Sequence, residues 1–83
     1  MTYFQKSKRV LNEIKEKETL TEKDKTFLLG LRSVVIAHVN DVNKEEFTRL
    51  LNLGTDVDLL AFGKKYAPKI EDELRFLFEE LHL

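Results

Sequence analysis

Asp41, Asn43 and Glu45 place oxygen-bearing side chains at alternating positions, the spacing with which a calcium loop begins. The rest of such a loop is missing. Glu46 stands where the sharp turn requires glycine, and Asn52 stands where a bidentate Glu would close the site. Asp41 and Asn43 read instead as helix-capping residues. His38 and His82 could ligate zinc, but they lie far apart, neither has a His or Cys at ligand spacing, and no His-Glu-x-x-His pattern occurs. His38 is expected near the C-terminal end of a helix, where the dipole favours its protonated ring or a terminal carbonyl takes its N–H.

Nucleophilic catalysis needs a hydroxyl or thiol beside a base, and the chain has two serines, Ser7 and Ser33, and no cysteine. Ser33 and His38 are five positions apart, which on a helix points them to different faces. Paired carboxylates (Glu71 with Glu73, Glu79 with Glu80) read as dipole and solubility residues of one helix rather than as an acid and its base. The three glycines, Gly30, Gly54 and Gly63, are isolated, so no glycine-rich loop can cradle a phosphate. These patterns predict no catalytic residue, no cofactor, no metal and no small-molecule substrate. The chain is read as a non-enzyme.

The elements that hold these residues are helical throughout, because apolar residues recur at helical spacing and no stretch alternates as a half-buried strand does. The pattern predicts one all-α domain over residues 1–83, a compact bundle of four to five helices around a central apolar helix at about residues 21–40. The first helix spans Tyr3 to about Lys17, with Tyr3, Phe4, Val10, Leu11 and Ile14 on its inner stripe. The second starts at a Thr19 or Thr21 cap, with Glu22 or Asp24 completing a capping box, and runs to Asn40. Its segment Phe27 to Val39 is relieved only by Gly30, Arg32, Ser33 and His38, so it is expected to need neighbours on every side. Residues 33–39, containing Val34-Val35-Ile36, could also form a strand, but a lone strand has no partner.

A third, short helix is predicted from Lys44 to Leu53, with Asn43 as cap, Glu46 three residues on, Val42 and Phe47 as a hydrophobic staple, and Gly54 as the stop. Thr55 caps a fourth, which carries Asp56 and Asp58 in its first turn and ends at Gly63 or just before Pro68. Pro68 opens the last helix, whose Glu71, Asp72 and Glu73 lie near its positive end.

Composition narrows the class further. Eighty-three residues enclose one small core, burying only about 60% of the unfolded surface. Without cysteine there is no disulfide framework, and the start Met1-Thr2-Tyr3-Phe4-Gln5-Lys6 has no apolar leader, so a cytoplasmic setting is expected. The 13-residue apolar run contains Arg32 and falls short of the roughly 20 residues that span a bilayer. No membrane association is expected. Net charge is minus one, so no overall field draws the protein to nucleic acid. Residues 1–26 hold seven Lys/Arg against five Asp/Glu, and residues 27–83 hold seven against ten, with the acids concentrated after Ile70.

A helix-turn-helix reading fits the helix, Gly54, helix order of Phe47 to Tyr66. Its second helix would offer Asp56 and Asp58 to a negative groove, which opposes binding. The last helix supplies the stronger signal. At about 100° per residue, Ile70, Leu74, Leu77, Phe78 and Leu81 point inward, while Phe76 and Leu83 fall on the far side with Asp72, Glu79 and Glu80. Either this helix is sandwiched within the fold, or Phe76 and Leu83 form an apolar patch ringed by acid. Tyr66, beside Lys64 and Lys65, is a second candidate anchor. The expected function is that of a small interaction or regulatory protein, of the size of phage and bacterial modulators, which binds a protein partner or homodimerises through Phe76, Leu83, Glu79, Glu80 and Tyr66. The second reading is a helix-turn-helix-like, nucleic-acid-associated transcriptional regulator.

Overall fold

Thr2 opens the first helix, α1 (Tyr3–Lys15), by accepting the Gln5 N–H on its hydroxyl at 3.1 Å while the Gln5 side chain accepts the Thr2 N–H at 3.1 Å. This is a reciprocal capping box, readable in the sequence as Thr-x-x-Gln. The structure is a computed structural model that describes residues 1–39, 44–45, 48–49 and 56–83. α2 (Glu22–Val39) follows, started by a second box in which the Thr21 hydroxyl accepts the Asp24 N–H and the Asp24 carboxylate accepts the Thr21 N–H. Of the two expected caps, Thr21 with Asp24 is the pair used. Lys17 Nζ reaches both Asp24 oxygens, at 2.9 and 3.1 Å. That ammonium, together with the Thr21 N–H, holds the Asp24 carboxyl below the ordinary carboxylate range.

The β-branched run of α2 is helical through Val39. Next come α3 (Asp56–Tyr66) and α4 (Ile70–Leu81). The protein is an all-α bundle, with these four helices and no strand among the described residues. Asp41, Val42, Asn43, Glu46, Phe47, Asn52, Gly54 and Thr55, on which the expected calcium-like pattern and third helix rest, lie outside the described residues. In that stretch Lys44, Glu45, Thr48 and Arg49 are helical, and the Thr48 hydroxyl donates to the Lys44 carbonyl at 2.8 Å.

Gly63 does not end α3. A Cβ there would sit 3.0 Å from both Ile70 Cδ1 and Val35 Cγ1, so this glycine lets α3 approach α2 and the start of α4. The helix stops before Pro68, as the second expected boundary has it. Pro68 itself lies in the turn rather than within α4, and the Ile70 N–H is taken by the Ala67 carbonyl at 3.0 Å.

Each of α1 and α2 packs against both α3 and α4, so the helices alternate around the core in the order α1, α3, α2, α4. Leu11 and Ile14 of α1, Phe27, Leu31 and Val35 of α2, Leu59, Leu60 and Phe62 of α3, and Ile70, Leu74 and Phe78 of α4 form one buried cluster, which Ala67 joins. α2 departs from the expectation of neighbours on every side. Its inner face is buried, but Leu29 is 67% and Ile36 38% exposed. The cause is geometric: Phe27, Leu31 and Val35 form the stripe turned to the core, with Gly30 and Arg32 flanking it towards α4 and α3, and Leu29 and Ile36 fall on the far side of the helix.

Ser7 is the residue that the apolar pattern of α1 does not anticipate. It faces the core with 0% exposure, and its hydroxyl has no hydrogen-bond partner among the described residues. An unsatisfied buried hydroxyl costs about 1–3 kcal/mol, and alanine is also the better helix former. Ser7→Ala is therefore expected to stabilise the fold by about 1 kcal/mol, read as a rise in the denaturant midpoint at unchanged slope.

Candidate functional site

α4 presents two chemically different faces. Ile70, Leu74 and Phe78 are buried, and Leu77 and Leu81 are partly buried against the core. Opposite them Phe76 is 59% exposed, with Asp72, Glu79 and Glu80 also exposed. The helix is not sandwiched. Its outward face rests on a rigid element, because α4 is held on both sides by named contacts. Towards α1, the Glu71 carboxylate accepts the Tyr3 and Phe4 N–H groups at 2.5 and 3.0 Å. Towards α2, Glu73 Oε1 meets His38 Nε2 at 2.5 Å, and Leu77 lies where a side chain on Gly30 would be, 2.6 Å from its Cβ position.

These contacts reassign several acidic residues. Glu71, expected to serve the dipole of its own helix, also caps α1. Glu73 replaces the expected terminal carbonyl as the partner of His38, and no third metal ligand joins the pair among the described residues. Arg75 lies 5.2 Å from the Phe76 ring centre and 4.0 Å from Glu79. Asp72 and Glu80 have no cationic partner among the described residues, so the rim of Phe76 is dominated by unneutralised carboxylates.

The other site candidates separate. His82 adopts the left-handed conformation (φ 57°, ψ 39°), and the Leu83 N–H turns back to the Phe78 carbonyl at 3.0 Å. This closing turn breaks the helical phase that groups Leu83 with Phe76. Leu83 is 41% exposed, and its carbonyl accepts from Lys6 Nζ at 3.2 Å, which ties its backbone to α1. Tyr66 is half-buried on α3, its ring 4.6 Å from that of Phe62 and 5.1 Å from Lys65 Nζ. Phe76, Glu79 and Glu80 thus share a face, and Leu83 and Tyr66 belong to other surroundings.

A contrasting region lies where α1 meets α3. Lys64 Nζ and Lys8 Nζ sit 4.3 and 5.7 Å from the centre of the half-buried Phe4 ring. In the helix order α1, α3, α2, α4, this basic edge is opposite the edge formed by α2 and α4. Across the described surface, Arg32 also forms a two-pronged pair with Asp56, at 3.1 Å for each bond, and this carboxylate pushes the guanidinium further above its ordinary value. Asp56 is therefore engaged in joining α2 to α3.

No protein-family model, curated protein or solved structure matches this chain. Among the described residues, no helix is long and apolar enough to cross a membrane.

Proposed function

We propose that this protein is a small, non-enzymatic interaction protein of the cytoplasm that works by seating the outward face of α4 on another protein surface or on a second copy. The observation that carries this reading is Phe76: a phenyl ring 59% exposed on a helix fixed at Glu71, Glu73 and Leu77. Rigid aromatic side chains give large contact area at small entropic cost, and a charged rim steers approach more than it adds affinity. Glu79 and Glu80 supply that rim. Regulation would follow by occupying a surface that another molecule needs.

Phe76→Glu tests the reading. Because the ring contributes little to the core, the folded state is expected to change by no more than about 0.5 kcal/mol, while self-association or partner capture is lost. Mass in solution, measured for parent and variant across protein concentration, reads the first. Chemical cross-linking in cells reads the second. A monomer in both proteins together with identical cross-linked partners would sink the proposal.

A nucleic-acid-associated regulator is the second reading, favoured by the basic edge of Phe4, Lys8 and Lys64 rather than by the acidic start of α3. Duplex binding whose affinity falls steeply with salt would support it, since released counterions impose that slope. Absence of binding at low salt removes it.

A further inference from the structure

Exposed apolar side chains are not scattered evenly over this bundle. Among the described residues the large ones are Met1, Leu29, Ile36, Phe76 and Leu83. Leu29 and Ile36 lie on α2, Phe76 lies on α4, and neither α1 nor α3 contributes one. The seam between α2 and α4 is set by two contacts. Gly30 faces Leu77, and His38 meets Glu73, so residue numbers rise along α2 as they fall along α4 and the two helices run antiparallel. Phe76, three positions after the Glu73 that meets His38, stands on the outward face of α4 beside this seam. Ser33 and Ala37, both exposed, lie on α2 three and seven positions after Gly30, on the flank nearest α4. Small side chains there leave the phenyl ring standing proud of the seam.

The charge of the outward face of α4 decides what can cover it. Of the five carboxylates of α4, Glu71 is committed to the start of α1 and Glu73 to His38, which leaves Asp72, Glu79 and Glu80 around Phe76, and the one arginine, Arg75, is committed to the Phe76 ring and Glu79. In a two-fold dimer through this face, each copy would set Asp72, Glu79 and Glu80 against the same residues of its partner. Like charges brought together in that way oppose association. A cationic surface with apolar side chains at helical spacing meets both properties at once.

We infer that the outward face of α4 binds a cationic amphipathic helix of a partner protein, one large apolar side chain of which packs on Phe76 while its Lys or Arg residues lie over Asp72, Glu79 and Glu80. The inference rests on the interaction reading above and adds the chemistry of the partner. Leu29 and Ile36, three before and four after the Arg32 that pairs with Asp56, lie on the α3 side of α2 and take no part in the contact. Partner helices in such grooves are read through anchors at positions i, i+3 or i+4 and i+7, so a basic segment with that apolar spacing is the recognised motif.

Three synthetic peptides test it on the intact chain: a Leu/Lys amphipathic helix, the same helix with Glu for every Lys, and a scrambled Leu/Lys peptide of equal charge. By fluorescence anisotropy, the first is expected to bind at least tenfold more tightly than the other two and to weaken as salt rises. Phe76→Ala and the double substitution Glu79→Gln with Glu80→Gln should each weaken it at least tenfold, with circular dichroism confirming unchanged helicity. Equal binding of all three peptides, or binding indifferent to Phe76→Ala, overturns the inference. Light scattering separates its failure from that of the wider reading. Concentration-dependent growth abolished by both Phe76→Ala and Lys64→Glu would identify a second copy, docked head to tail, as the occupant. That outcome overturns the cationic-helix inference and leaves the interaction reading standing. If neither mass nor any cross-linked partner responds at Phe76, both fall.

Discussion

Phe78→Ala is expected to cost the fold about 3–5 kcal/mol, the range for deleting a buried phenyl ring. The Phe78 ring is 1% exposed and lies 5.4 Å from that of Phe27 on α2 and 5.8 Å from that of Tyr3 on α1. One α4 residue therefore joins three helices. Tilted aromatic pairs of this kind add about 0.5–1.5 kcal/mol each beyond the area they bury. Lys6 Nζ, 4.8 Å from the ring centre, adds a cation on its outer side. The cavity left by alanine could not close easily, because Leu74 and Ile70 on the same helix are themselves fully buried and pinned.

For a chain of this length, total stability is on the order of 4–12 kcal/mol. The loss is thus a large share of what the protein has. Urea denaturation at constant temperature, followed by circular dichroism, should show Phe78→Ala with a far lower midpoint or already partly unfolded in buffer. Phe78→Leu, which keeps most of the apolar volume, should recover more than half of the loss. A midpoint for Phe78→Ala within about 1 kcal/mol of the parent would mean that the site collapses and that the aromatic hub is not a stabilising unit.

Phe78 was legible in the sequence because its position follows from the period of one helix: Ile70, Leu74 and Phe78 recur at four-residue spacing. α4's division into inner and outer faces was legible for the same reason. What the sequence hid were relations between helices. Nothing local to Glu71 says that its carboxylate reaches the start of α1, since the two segments are separated by most of the chain. His38 and Glu73 meet only because α2 and α4 run antiparallel. The apolar run of α2 misled in the opposite direction. It is apolar enough to be buried all round, yet a bundle this small supplies neighbours for one side of it, and Leu29 and Ile36 are left outside. The grouping of Leu83 with Phe76 failed because helical phase was carried one residue past His82, where the chain turns left-handed.

Glu71 yields the second large effect. The first turn of any α-helix has N–H groups without partners inside the helix, and in α1 those of Tyr3, Phe4 and Gln5 all find side-chain acceptors. Thr2 takes Gln5, and Glu71 takes the other two. Hydrogen bonds to a charged group are worth about 1.5–3 kcal/mol net, but this site is only part-buried and water can reach it after truncation. Glu71→Ala is accordingly expected to cost about 2 kcal/mol, at the upper end of a helix-cap deletion. Glu71→Gln, which keeps one acceptor oxygen and loses the charge favoured at the helix N-terminus, should cost about half as much.

The damage should begin locally and then spread. Tyr3 is both a donor to Glu71 and the α1 side of the aromatic cluster, so loosening the first turn withdraws its ring from Phe78. Hydrogen exchange should accelerate first at the amides of α1 and only afterwards in α2. Thr2→Ala acts on the same turn, so its loss combined with that of Glu71→Ala should fall short of additive, because the second cap cannot be lost from a turn that has already frayed. Strict additivity in the double mutant, or amide exchange in α1 unchanged by Glu71→Ala, would show that this carboxylate serves α4 alone.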